Sequence, residues 1–170
     1  MAALFTSEAR VAVLKAFMLD PTRGYYQRQL SMVAGVALRG VQRELERLES
    51  AGLLFAHKEG NRSIYHVDTE FPLFPELRSM VLKTSDDVER LRGGLAMDPG
   101  VRIAVLRPQE REVLVVATPG GSPKVDGYEG FKIKTMTSDG FLKRLSEKRA
   151  SVAKYLEGGE DILVRRNDVI

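Results

Sequence analysis

Four polar side chains recur on one side of the stretch Ala37 to Ala51: Arg39, Gln42, Arg43 and Arg47. The other side carries Leu38, Val41, Leu45 and Leu48, which step by three and four and predict an amphipathic helix. Guanidinium groups suit guanine edges and phosphates, and a carboxamide suits adenine, so the polar face has the chemistry to meet a nucleic-acid duplex. Leu38 lies near that face but is more simply core. The plainer alternative is a solvated helix face laced by ion pairs among Arg39, Arg43, Glu46 and Arg47. Lys58, Asn61 and Arg62 form a second group, spread around the turn Glu59-Gly60-Asn61-Arg62. A plain charged turn explains them as well as a backbone or minor-groove contact does. Arg28 and Gln29 open a further short helix, where a phosphate could be met.

The remaining polar groups are weaker candidates. His57 and His66 alternate with apolar residues and have no carboxylate or thiol nearby, which favours a structural role over metal ligation. Glu110 and Glu112, two apart before a β-type run, are expected on one face of a strand. Such a pair could hold Mg²⁺, although no phosphate cradle accompanies it. Gly120-Gly121 lacks a following Lys-Ser/Thr and is not a P-loop; a hairpin-like connection is the expected reading.

Of 170 residues, 44% are hydrophobic and 29% charged, as in an ordinary globular protein rather than a disordered chain. There is no cysteine, which excludes disulfides, thiolate metal centres and thiol nucleophiles. The formal net charge is +3, which permits a nucleic-acid partner without demanding one. Between residues 23 and 62, seven basic residues face four acidic ones. Met1–Phe5 soon meets Glu8 and Arg10, no signal-peptide core is expected, and no apolar run approaches a membrane span. The expectation is a cytoplasmic protein with no membrane partner.

The elements that must position these residues follow from spacing and punctuation. A first helix is expected from Ser7 to Leu19, capped by Thr6 or Ser7 and ended by Asp20-Pro21. Val11, Leu14 and Met18 form one apolar stripe, and Val13 and Phe17 form another. A helix apolar on two sides needs a crowded core or a partner chain. Tyr25-Tyr26 suits an extended segment, and a short helix over Gln27–Ala34 is expected to face Leu30 and Val33 inward. Gly35 breaks it, and Gly52 ends the helix of 37–51. Leu53–Lys58 and Ser63–Val67 read as a β-hairpin, with Gly60 and Asn61 taking positive φ. Helices are then expected over 75–83 and 85–95. Strands follow over 101–106, 113–117 and 131–136, a Gly/Pro-rich loop over 118–130, helices near 138–145 and 147–156, and a last strand over 161–165.

Three helices followed by a β-hairpin is the winged helix-turn-helix order, in which the first half of the third helix meets base edges. The stretches Tyr25–Leu30, Val41–Leu54 and Glu59–Tyr65 resemble winged-helix regulators of the ArsR-like class. With the Phe74-Pro75-Glu76-Leu77-Arg78 segment, they look most like the prokaryotic subgroup in which such a domain precedes a small nucleotidyltransferase-like domain. The resemblance covers about residues 4–84. It implies double-stranded DNA binding, transcriptional regulation and a homodimer on a two-fold site. In that subgroup a Gly-Ser turn cradles phosphate and an Asp-x-Asp pair holds Mg²⁺. Here Val101–Leu106 runs almost directly into Glu110–Val116, the Gly-Ser turn is missing, and Glu110 and Glu112 stand at the Asp-x-Asp position.

The expected class is therefore α+β. A winged helix-turn-helix occupies 1–70, a helical connector 71–98 and a degenerate nucleotidyltransferase-like α/β domain 99–170. The DNA-binding residues are expected to be Arg28, Arg39, Gln42, Arg43, Arg47, Lys58, Asn61 and Arg62. No catalytic residue, metal or cofactor is expected, and the C-terminal domain is expected to dimerise or to sense a small-molecule or protein effector. Two other functions stay open: a divergent Mg²⁺-dependent nucleotidyltransferase, and a winged-helix module that binds protein.

Overall fold

The computed structural model describes residues 7–147 and 149–163, and the chain forms two compact units, Met1–Gly93 and Gly94–Ile170. The class is mixed α+β, with seven helices and two small sheets among the described residues.

The first unit is built on helix α1, Glu8–Leu19. The Ser7 side chain caps it by accepting a hydrogen bond from the Arg10 N–H at 3.2 Å, and Glu8 adds favourable charge in the first turn. Val13, Leu14, Ala16, Phe17, Met18 and Leu19 are all buried. Both apolar sides of α1 are thus covered by its own chain. Helices α2 (Gln27–Ala34), α3 (Leu38–Ser50) and α4 (Phe74–Thr84) all pack on it. Residues 71–98, read as a connector from sequence, supply Phe74 and Val81 to this core. The pair is seven residues apart and therefore on one face of α4.

Strand β1 (Tyr25–Tyr26) joins β2 (Leu54–Glu59) and β3 (Arg62–Val67) in a sheet of order β1-β3-β2. Tyr25 sets its ring edge against Phe17, with centroids 5.2 Å apart at 85°. The β2–β3 register runs from Leu54↔Val67 to Glu59↔Arg62 and leaves Gly60-Asn61 as a two-residue loop. Only Gly60 takes positive φ, at 60°; Asn61 does not, contrary to expectation. A turn with glycine in its first central position needs just one such residue.

The α2–α3 turn is set by Gly35, which adopts φ 63° and gives its N–H to the Met32 carbonyl at 3.3 Å. The Ser31 hydroxyl donates to the Val36 carbonyl at 2.6 Å and locks the turn from its other side. One inward residue expected on α2 is misplaced: Leu30 is fully buried, but Val33 is 51% exposed. Val36, beyond the reversal at Gly35, packs against the core where Val33 was expected. On α3, Val41 and Leu45 are fully buried, Leu48 is partly buried, and Leu38 is half-buried. Gly52, at φ 79°, reverses the chain into β2.

Helix α5, Asp87–Ala96, carries the chain across the division between the units. The second unit has a sheet of order β6-β5-β4-β7, made by β4 (Val101–Arg107), β5 (Glu112–Ala117), β6 (Lys132–Met136) and β7 (Glu160–Asp161). Residues 164 and 165 of the expected last strand lie outside the described residues. Helices α6 (Ser138–Ser146) and α7 (Ala150–Gly158) place Phe141, Val152 and Tyr155 on Val105, Leu114 and Val116.

Strands β5 and β6 pair in parallel, so the 118–131 segment is a crossover and not the expected hairpin-like connection. Parallel neighbours start at the same end of a sheet, and the chain must travel back to reach it. Asp98 holds this loop by accepting the Gly100 N–H at 2.7 Å and the Lys124 N–H at 2.6 Å. Gly121 passes so close to Gly100 that a Cβ would lie 3.0 Å from its Cα.

The Gly35 geometry gives a direct test. Open space surrounds the position, so Gly35→Ala meets no clash and suffers only the left-handed backbone penalty of about 1–2 kcal/mol. Gly158→Ala, equally unobstructed and without positive φ, is expected to be neutral or slightly stabilising. Urea unfolding followed by circular dichroism measures both.

Candidate nucleic-acid interface

The outward face of α3 is held by the core stripe on its inner side. Val41 and Leu45 lock that stripe onto α1, and Arg39 and Arg43 consequently project into solvent. Neither has an ion-pair partner among the described residues, and neither does Glu46. The ion-pair ladder considered from sequence does not form; Arg47 pairs instead with Glu44, at 2.9 Å.

Gln42 takes a different course. Its Nε2 donates to Gln27 Oε1 at 3.0 Å, and Gln27 Nε2 donates to the Tyr65 hydroxyl at 3.2 Å. This chain of amides links α3, α2 and β3, and half-buries Gln42 at the edge of the outward face. Its carbonyl oxygen has no partner among the described residues.

The hairpin tip and the start of α2 are brought together. The Tyr26 hydroxyl donates to Glu59, and the Arg62 guanidinium lies 5.9 Å from the centre of the Tyr26 ring. Tyr26, Gln27, Arg28, Asn61, Arg62 and Ser63 line an open cleft of about 780 Å³. Tyr26 is also the N-cap of α2 but makes no side-chain cap hydrogen bond there. The cleft therefore combines two guanidiniums with the positive end of a helix, the combination that suits an anion. Lys58 and Asn61 are exposed at the hairpin tip.

His57 and His66 stack with Phe55 on the outer side of the hairpin. The His66 ring lies 5.6 Å from Phe55 at 18° and 5.1 Å from His57 at 15°.

Two residues not singled out in the sequence lie beside the expected ones. Glu44 is 2% exposed: three residues after Val41 and four before Leu48, it lies on the flank of the apolar stripe of α3. Its Oε2 accepts from Arg10 Nε at 2.8 Å, and its Oε1 accepts from Arg47 at 2.9 Å and from the Ser7 hydroxyl at 3.4 Å. Burial raises the Glu44 carboxyl, but the Arg10 hydrogen bond and the charges of Arg10 and Arg47 outweigh it and hold the group below the ordinary carboxylate range. The i,i+3 spacing to Arg47 was legible in the sequence. The partnership with Arg10, 34 residues away, was not.

In the second unit, Glu110 and Glu112 do not share a strand face. Strand β4 runs on to Arg107, which pairs with Glu112, and Glu110 falls in the intervening turn, where Arg111 adopts φ 51°. Arg107 bridges the two carboxylates, at 2.5 Å to Glu110 and 3.5 Å to Glu112. Lys154 also bonds Glu112, Lys134 lies 3.8 Å from it, and the Tyr155 hydroxyl donates to it at 3.3 Å. The Lys154 hydrogen bond is the main reason the Glu112 carboxyl sits below its ordinary range; desolvation opposes it, and the Lys134 and Lys154 charges reinforce it. Burial first, and then the Glu112 charge, push the Tyr155 hydroxyl up. A carboxylate ringed by three side-chain cations is arranged to hold the ends of strands and a helix together.

No family model, curated protein or solved structure matches the chain.

The Glu44 network predicts a pH signature. Its folded carboxyl is acidified relative to the unfolded chain, so its stabilisation is complete above the ordinary value of 4.5 and fades as pH falls through the lower folded value. Glu44→Gln leaves the partly buried Arg10 guanidinium without its charged acceptor, and a loss of roughly 1–3 kcal/mol is expected at neutral pH. The gap between wild type and variant is expected to narrow on acidification below that range. Urea midpoints across a pH series measure it; a gap independent of pH contradicts the assignment.

Proposed function

We propose that the first unit is a winged helix-turn-helix that binds double-stranded DNA, and that the chain is a sequence-specific transcriptional regulator of the ArsR-like class acting as a homodimer in the cytoplasm. The observation that carries this reading is the pair of unengaged guanidiniums, Arg39 and Arg43, on the outward face of α3. Beside it, the short Gly35 turn supports assigning α2 and α3 to a helix-turn-helix, and the β2–β3 hairpin supports a wing. A helix of this size fits a major groove, where Arg39 and Arg43 can give paired N–H groups to guanine, and Gln42 can offer a carboxamide from its tethered position. Arg28, Arg62, Lys58 and Asn61 are suited to flanking phosphates or the minor groove. No helix among the described residues is long and apolar enough to cross a membrane.

For the second unit we propose a non-catalytic, degenerate nucleotidyltransferase-like domain that dimerises or senses a small molecule or protein. The cationic ring around Glu112 supports this, because it uses for structure the carboxylate that a two-carboxylate metal site would need free.

The test is selection of bound duplexes from a random pool, followed by titration of the enriched sequence. Half-sites in two-fold relation are expected, spaced by about one helical turn or a multiple of it. Arg43→Ala is expected to weaken the enriched duplex by roughly 10–100-fold, since a bidentate base contact contributes about 1–3 kcal/mol, with little change on random duplex. Gln42→Ala is expected to have a smaller effect of the same kind. Binding of both variants at the wild-type level would remove α3 as the reading element.

A further inference from the structure

A cleft opens between the start of α1 and the middle of α3. It encloses about 320 Å³ and is lined by Ser7, Arg10, Gly40, Arg43, Glu44 and Arg47, with Ala9 at its edge. Three arginines and one carboxylate thus line it, two of the arginines paired with the carboxylate. We propose that this cleft is a phosphate-binding site for the DNA backbone, in which Arg10 and Arg47 are the contacting residues, Glu44 is a positioning residue, and Arg43 stands at the border with the base-reading face. The inference rests on the reading of α3 as the DNA-facing helix and adds α1 to the interface.

The charges lining the cleft do not balance. Glu44 uses both carboxylate oxygens, one on Arg10 and one on Arg47, and Arg43 has no ion pair among the described residues. One negative charge cannot neutralise three positive ones, and the cleft keeps a net positive charge facing solvent. That residual positive charge is what an anion entering the cleft would offset.

A guanidinium has five N–H groups. Glu44 takes the Nε–H of Arg10 and one terminal nitrogen of Arg47, leaving both terminal nitrogens of Arg10 and the rest of the Arg47 fork unassigned. Glu44 is buried, whereas the Arg10 and Arg47 side chains are 29% and 52% exposed, so each arginine is tied at one end of its guanidinium and reaches solvent. A planar fork held at one edge is prepared for a phosphate with less side-chain entropy to lose. Gly40 lines the same cleft; a Cβ on it would crowd Val36 Cγ1 at 3.0 Å and make only ordinary contact with Ala9 Cβ on α1, at 3.8 Å.

Arg47 lies one turn beyond Arg43 on the same helix, on the flank that faces α1. A helix seated in a major groove has its flanks against the phosphate walls. Arg43 toward the bases and Arg10 with Arg47 toward one wall is a single arrangement that uses all three.

The experiment measures dissociation constants against both the enriched duplex and a random duplex, over a salt series, for full-length wild type, Arg10→Gln, Arg47→Gln and the second-unit control Arg102→Gln. Arg10→Gln and Arg47→Gln are each expected to weaken both duplexes alike, by about 3–10-fold at physiological ionic strength, and to lower the slope of log K against log salt by about 1. Arg102→Gln is expected to match wild type. If wild type binds but both cleft variants keep its affinity and salt slope, the phosphate site is overturned and the DNA reading stands. If wild type binds no duplex, both fall. Circular dichroism melts accompany each variant. Should Arg10→Gln fail to fold, Arg47→Gln decides alone, because that side chain is 52% exposed and its loss leaves Glu44 paired with Arg10.

Discussion

The first unit depends on the burial of α1 from several sides at once. With six consecutive or near-consecutive apolar residues inside, from Val13 to Leu19, this helix has almost no face to offer water. Covering it requires α2 and α3, and it also requires α4, whose Phe74 and Val81 complete the core. The consequence reaches the candidate interface. Val41 and Leu45 can seat on α1 only if the opposite side of α3 faces outward, and this orientation is what exposes Arg39 and Arg43. The start of the same buried helix brings Arg10 against α3. A change in the packing of α1 would therefore move the outward arginines and the arginine cleft together.

Within that frame, α3 uses its polar residues in three distinct ways. Arg39 and Arg43 are left to solvent. Gln42 is spent on a hydrogen-bonded chain that reaches β3 through Gln27 and Tyr65, so the angle between the helix and the hairpin is held by polar contacts as well as by the core. Glu44 is buried, which is tolerable only because three donors converge on it. Burying a single carboxylate orders arginines on two different helices.

The second unit follows a different constraint. Strand β5 lies between β4 and β6 and is buried on both faces from Val113 to Ala117. Its parallel partner β6 forces a long return through the Gly/Pro-rich loop, and Asp98 and the close passage of Gly121 by Gly100 give that loop one path. At the end where β4, β5 and β6 meet α7, charges from Arg107, Lys134 and Lys154 converge on Glu112. The polar residues that looked most like chemistry in this half of the sequence serve as fasteners.

By itself the sequence determined the elements and their punctuation. The apolar spacing of α3, the breaks at Gly35 and Gly52, the Gly60-Asn61 turn, the Ser7 cap and the mixed α+β class are local properties, set by side-chain periodicity and by the few residues that tolerate positive φ. Arg39 and Arg43 were legible for the same reason, since they stand opposite a clear apolar stripe. Only the tertiary structure decided which residues meet across the chain. Spacing puts Glu44 beside Val41 and Leu48 and Glu46 away from them, but nothing local sets Arg10 apart from any other helical arginine; a contact 34 residues apart exists because two helices pack together. The exposure of Val33, the fall of Glu110 into a turn and the parallel course of β6 have the same origin. Each depends on where a neighbouring element comes to rest, and that is fixed by the burial of the whole core rather than by the residues alongside.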